Sequence, residues 1–144
     1  MHFVGNWQAW AILSAVFAAL TAVLAKIGVT GVDSDLATLV RTIVVALLAA
    51  AIVSAAGQWQ GLETIPGRSW LFLVLSGLAT GASWLCYFRA LKLGDAARVA
   101  PIDKLSVVLV AIFGVVFLGE RLSNANWAGI ALIAAGAMLV AYRG

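Results

Sequence analysis

Residues 98–118 read RVAPIDKLSVVLVAIFGVVFL. From Leu105 to Leu118 no side chain is charged, and the run is apolar enough to lie in hydrocarbon. Asp103 and Lys104 nevertheless stand side by side where this helix has already begun, with Pro101 just before them. Whether the stretch belongs to lipid or to water decides the fold, and the rest of the chain answers for lipid.

The 144 residues are 64% hydrophobic and 10% charged, with a mean hydropathy of +1.07. Soluble domains hold about 45–50% apolar and about 25% charged residues. A water-soluble fold of this length leaves too much area exposed to hide so much apolar surface, so the lipid bilayer is the expected solvent and first partner. The length suits one domain over residues 1–144. The net charge of +3 comes from Lys and Arg scattered at helix ends, with no basic run or stacking platform, which argues against nucleic acid as a partner. The only cysteine, Cys86, lacks a partner for a disulfide or a metal site and is expected to pack as a small hydrophobe. The segment MHFVGNWQ has no positive n-region, so the first apolar run is not read as a removable signal. Trp7 and Trp10 fit interfacial anchors.

Five segments reach the roughly 20 apolar residues that a span requires, at about 7–29, 36–56, 68–93, 98–118 and 126–142. Short links such as TGVDSD, GQWQG and the Pro66-Gly67 turn separate them, so sequence neighbours are expected to run antiparallel. No span alternates with period two, which excludes barrel strands. The expected class is an all-α integral membrane protein, a bundle of five transmembrane helices. Small residues recur at four-residue spacing as Ser14, Ala18 and Ala22, as Ala46, Ala50 and Ser54, and as Gly77 and Gly81. Such stripes suit close helix packing, or faces that slide during a conformational cycle.

An odd number of spans puts the termini on opposite sides. The C-terminal side collects Lys26, Arg41, Arg89, Lys92, Arg98, Lys104 and Arg143, against Arg68 and Arg121 on the other; seven against two places it in the cytoplasm. Without Lys26, Arg41, Arg89 and Lys104, which lie inside spans, the loops count three against two. That bias is weak enough to permit insertion both ways.

These four residues and Asp103 share a level, roughly 6–9 Å inside the boundary at 1.5 Å per residue. Long basic stems can snorkel to the headgroups. Asp103 is too short to do so and is expected to pair with Arg41 or Lys26 of another helix. Adjacent helical positions point about 100° apart, so Lys104 is not its expected partner. Ionisable groups inside a membrane mark solute pathways by default, and a basic layer with one acid favours an anionic or zwitterionic solute. The candidate solute-binding residues are therefore Lys26, Arg41 and Lys104, with Ser83, Trp84 and Tyr87 of the third helix lining a cavity. Asp103 with Arg41 or Lys26 is the candidate structural ion pair.

The chain has no phosphate-binding glycine loop, no HExxH, no paired histidines and no nucleophile elbow. Its single histidine, His2, is terminal. No catalytic residue, metal or cofactor is expected, and an enzyme is not expected.

The segment from Tyr87 to Arg143 closes its third helix with RALKLG, ends the fourth with FLGERLS and carries WAGIALIAAGAMLV as the fifth. In this it resembles the EamA-type family of the drug/metabolite transporter superfamily. The first three helices match in number, in length and in the opening NWQAWAILSAVFAALTAVLAKIGV. The resemblance implies two five-helix repeats of opposite orientation, with solute moved by alternating access at a site between them. This chain resembles one such repeat. The expectation is a multi-pass transporter subunit of the cell's inner membrane that moves a small polar metabolite, amino-acid-like and anionic or zwitterionic. It would act as an antiparallel homodimer or with a similar five-helix partner. The alternative is a non-transporting scaffold or accessory subunit. The four-helix small multidrug transporters of the superfamily use a glutamate in their first helix; here that helix has no acid and its polar face leads to Lys26, which argues against cationic-drug export by that chemistry. Glu120, at the membrane edge, is expected to make a helix-end contact.

Overall fold

The computed structural model describes residues 6–142, the side chain of Gln60 excepted; His2 and Arg143, both weighed above, lie outside the described residues. Among these residues there is no strand. Helices long and apolar enough to cross a membrane cover Trp7–Gly28, Ser34–Ala55, Gly67–Leu93, Ala96–Phe117 and Asn124–Ala141. The protein is an all-α, five-span membrane protein. Its chain divides into two compact units, one of Ala25–Lys92 and one of Met1–Leu24 with Leu93–Gly144.

In the unit Ala25–Lys92, α1 (Trp7–Gly28) reaches its end and α2 (Ser34–Ala55) and α3 (Gly67–Leu93) follow. The turn after α1 closes on Gly31 at φ +76, a left-handed conformation that glycine adopts without steric cost. Asp33 then caps α2, its carboxylate accepting from the backbone N–H of Asp35 at 2.9 Å and of Leu36 at 3.3 Å. This satisfies donors that a helix start leaves without partners, and it starts α2 two residues earlier than the apolar pattern suggests. The polar link after α2 is ordered as a 3-10 helix, Gln58–Thr64. Trp59 Nε1 donates to Ser54 Oγ at 3.0 Å and fastens that segment back onto α2. Ser54 therefore serves as an anchor for the link.

In the other unit, the fourth span is broken where one helix over 98–118 is expected. It consists of α4 (Ala96–Asp103) and α5 (Ser106–Phe117), joined by a turn at Lys104 and Leu105. Pro101 lies inside α4 and has no N–H to give to the carbonyl one turn back. Downstream the bonds tighten to three-residue spacing, with Leu105 N–H to Ile102 O at 2.9 Å, Val107 to Lys104 at 3.0 Å and Val108 to Leu105 at 3.0 Å. After α5, the N–H of Glu120 bonds Gly114 O at 3.0 Å across Gly119 at φ +69, a glycine-terminated cap. Ser123 and Asn126 then form a capping box that opens α6 (Asn124–Ala141).

Little of this apolar surface is covered. The described helices bury only Ala22 on α1, Ser34 and Thr38 on α2, Phe88 and Leu91 on α3, Gly114 on α5 and Ala137 on α6. Apart from the adjoining backbone of α3 itself, nothing lies within 4 Å of where a Cβ would stand at Gly77 or Gly81, and Ser14, Ala18 and Ala46 are exposed. Of the same stripes, Ala22 is buried and Ala50 half-buried. Cys86 is exposed as well, so it faces outward and is not packed.

Candidate functional site

On α2 the residues Ser34, Thr38, Arg41 and Thr42 repeat at helical spacing and form one polar stripe. Thr38 Oγ1 donates to Ser34 O at 2.8 Å and Thr42 Oγ1 to Thr38 O at 2.7 Å, so both hydroxyls are satisfied within their own helix. Trp84, Phe88 and Leu91 form the matching face on α3. Two contacts tie these faces together. Arg89 Nη2 lies 2.9 Å from Asp35 Oδ2, and its Nε and Nη2 also donate to Oδ1 at 3.3 and 3.1 Å. One step deeper, the Arg41 guanidinium lies over the Trp84 ring, 4.1 Å from its centroid, and 5.4 Å from that of Phe88. From Asp35 to Arg41 is six residues up α2, and from Arg89 to Trp84 five residues down α3. At 1.5 Å per residue these are about 9 and 7.5 Å, a shared register for two antiparallel helices.

Lys26 meets α3 at its end. Its Nζ donates to Leu91 O at 2.6 Å, and Leu91 is fully buried. The last carbonyls of a helix lack intrahelical donors, and a cation there also suits the negative end of the helix dipole. Lys26 is thereby a helix-end residue whatever else it touches.

Arg41 differs from both. Because α2 begins at Ser34, Arg41 stands about 10 Å into its span. Of the described carboxylates in its unit, Asp35 is engaged by Arg89, Asp33 caps α2, and Glu63 sits in the 3-10 segment beyond the far end of α2. Tyr87 is near enough to interact with Arg41 electrostatically. A charge at mid-span costs on the order of 2.5–3.5 kcal/mol, less toward the ends. A cation–π contact returns about 0.5–2 kcal/mol depending on desolvation. Within this unit the ring contact leaves part of the cost of Arg41 in place, and an anion would recover it.

The other candidates are placed as follows. Trp84 and Tyr87 are half-buried, and Ser83 is exposed. Asp103 and Lys104 belong to the other unit, where Lys104 Nζ lies 3.3 Å from Asp103 Oδ2. Helical spacing argues against that neighbour pair, but Asp103 closes α4 and Lys104 lies in the turn beyond it, so the spacing no longer applies. Glu120 folds back toward Gly114 at the end of α5, as a Cβ at Gly114 would come within 2.5 Å of Glu120 Oε2. The Arg89–Asp35 pair is not expected from the sequence, where Asp35 belongs to the link TGVDSD. Asp35 is the second residue of α2 and Arg89 lies about one turn before the end of α3, so both stand near the same end of two antiparallel neighbours. Outside the spans, hydrogen bonds from Asp35 and Leu36 N–H hold the Asp33 carboxyl below its ordinary 3.8.

An apolar groove of about 680 Å³ runs along the first turns of α1, lined by Ala9, Trp10, Ile12, Leu13 and Val16, with Asn6 and Gln8 at its mouth. It has no ionisable side chain among its described walls and is unsuited to an ion.

Residues 5–142 match the profile of the EamA-like transporter family. A protein of a Sinorhizobium species, named as an uncharacterized transporter in the cobO 3' region, is 71% identical over 136 residues, which cover 94% of this chain and 96% of the relative. An uncharacterized transporter of Vibrio cholerae serotype O1 is 28% identical over 93 residues, 62% of this chain and 30% of that relative. The Vibrio protein is therefore more than twice as long as this chain. No solved structure matches.

Proposed function

We propose, from the premise that this chain belongs to the EamA-like transporter family, that it is a transporter subunit of the cell's inner membrane that moves a small anionic or zwitterionic metabolite by alternating access. Membership in a transporter family and transporter-named relatives point away from an enzyme. The observation that carries the reading is the family match across nearly the whole five-span chain. The broken fourth span supports it, because discontinuous helices with ionisable groups at the break are a recurrent feature of transporter sites.

Alternating access needs two similar halves of opposite orientation, and two copies of this repeat, inserted antiparallel, would supply them. The open faces at Gly77 and Gly81 support a second repeat seated there, since small side chains let helices approach closely in lipid. In this arrangement Arg41, Trp84 and Tyr87, with Lys26 and Ser83, would contact the solute; Lys104, in the other unit, is proposed as a solute-binding residue in its own right.

Proteoliposomes of the purified protein, given labelled dicarboxylates, amino acids and phosphorylated metabolites, test the proposal. Saturable accumulation of an anionic or zwitterionic solute is expected. Absence of flux for the whole panel, with the protein folded and inserted, would leave a scaffold or accessory role.

A further inference from the structure

We propose that Arg41, laid on the Trp84 ring 4.1 Å from its centroid, is an oxyanion-binding residue that takes a carboxylate or phosphate group in the fork of its guanidinium. The proposal rests on the transporter reading only for its physiological ligand. A guanidinium carries its N–H donors along the edge of its own plane, and the contact of Arg41 with the ring takes up no oxygen acceptor. That edge matches a carboxylate or phosphate with two parallel hydrogen bonds. Phe88, buried and 5.4 Å from the guanidinium, restricts the group further.

Arg68, 5.9 Å from the Phe72 ring centroid, lies at the opposite end of α3, and the cations at the level of Arg41 are engaged by oxygen. Arg89 is held by the Asp35 carboxylate through Nε and Nη2, and Lys26 is fastened to the Leu91 carbonyl. No described group of the unit accepts a hydrogen bond from Arg41. The ligand chemistry is the same whether the oxyanion belongs to a free solute or to a lipid headgroup, and the two sources are separable.

The test reads binding, so it is independent of flux. Protein in phosphatidylcholine nanodiscs is titrated with succinate, glutamate and inorganic phosphate, and with choline and glucose as controls, following the thermal midpoint and tryptophan fluorescence. A ligand that binds only the folded state raises the midpoint with concentration. The oxyanions, and not choline or glucose, are expected to raise it in wild type and in Arg89→Gln. The apparent affinity should fall at least tenfold in Arg41→Gln. Arg41→Lys, which keeps the charge without the fork, should fall between them and serves if the glutamine variant does not fold.

A response to soluble anions in phosphatidylcholine assigns a free solute. Stabilisation only when phosphatidylglycerol is added, lost in Arg41→Gln, assigns a headgroup. Both support the proposal. Equal responses in wild type and Arg41→Gln would overturn it. So would no anion response in either lipid, including the case in which a response appears only in Asp103→Asn, which would give Arg41 to Asp103. Binding without flux would sink the transport reading alone; flux with unchanged affinity in Arg41→Gln would sink this one alone.

Discussion

A double-mutant cycle on Arg41→Met and Trp84→Leu isolates the contact that joins α2 to α3. Arg41 is half-buried and 4.1 Å from the ring centroid, between the exposed limit of about 0.5–1 kcal/mol and the desolvated limit of about 2 kcal/mol. The expected coupling is about 1–2 kcal/mol, roughly a 5–30-fold change in the unfolding equilibrium. The single variants should differ in sign. Trp84→Leu removes the ring and leaves the cation in its span, so it destabilises. Arg41→Met also removes the cost of placing a charge there, on the order of 2.5–3.5 kcal/mol at mid-span and less toward the ends, so it should be neutral or stabilising. Arg68 and Phe72, 5.9 Å apart, provide the control, with a coupling below about 0.5 kcal/mol because the ring lies at the limit of the interaction's range. The assay is reversible unfolding in mixed micelles by added SDS, followed by far-UV circular dichroism. A coupling for Arg41 and Trp84 no larger than for Arg68 and Phe72, or a large loss in Arg41→Met alone, would refute the reasoning.

Gly119→Ala should destabilise by about 1–2 kcal/mol in the same assay, since its φ of +69 is the left-handed region that an L side chain occupies at that cost. Gly114→Ala should cost under about 0.5 kcal/mol, because the added Cβ meets the free end of Glu120, which can swing away. Asp33 has a lowered pKa, so its capping contribution is complete above the ordinary carboxylate range and is lost as pH falls through the folded value. Asp33→Asn keeps a cap and should remove that acid-dependent part of the melting curve. Asp35→Asn and Arg89→Gln should each lower the melting midpoint, and the exchange Asp35→Arg with Arg89→Asp should restore part of the loss; no restoration would mean that the pair does not join the helices.

The span limits were legible because a membrane helix needs a nearly unbroken run of apolar residues, and such a run survives any choice of neighbour. The break at Lys104 and Leu105 was less so. Pro101 shows that a hydrogen bond is missing, but not whether the helix bends or stops. The 3-10 segment Gln58–Thr64 rests on Trp59 reaching Ser54, and nothing in its composition distinguishes it from a loop. At the candidate site the sequence named Arg41 and Trp84 separately, since type and depth can be read from one strand of text. Their stacking depends on how α2 and α3 are rotated about their own axes, which a nearly all-apolar surface does not encode. Asp35 was missed because an acid beside a turn reads as a boundary, when here its position inside α2 makes it a partner for Arg89.

Transport by an antiparallel pair requires this five-span repeat to enter the membrane in both orientations. In a Cys86→Ser background, single cysteines at Gln58 and Asp95 stand in the links before and after α3. They can be labelled with a membrane-impermeant maleimide from the outside and, after permeabilisation, from both sides. An antiparallel homodimer predicts that each site is labelled from outside in about half of the molecules, with the rest reacting only after permeabilisation. Labelling of one site wholly from outside and of the other wholly from inside would fix a single orientation and contradict it.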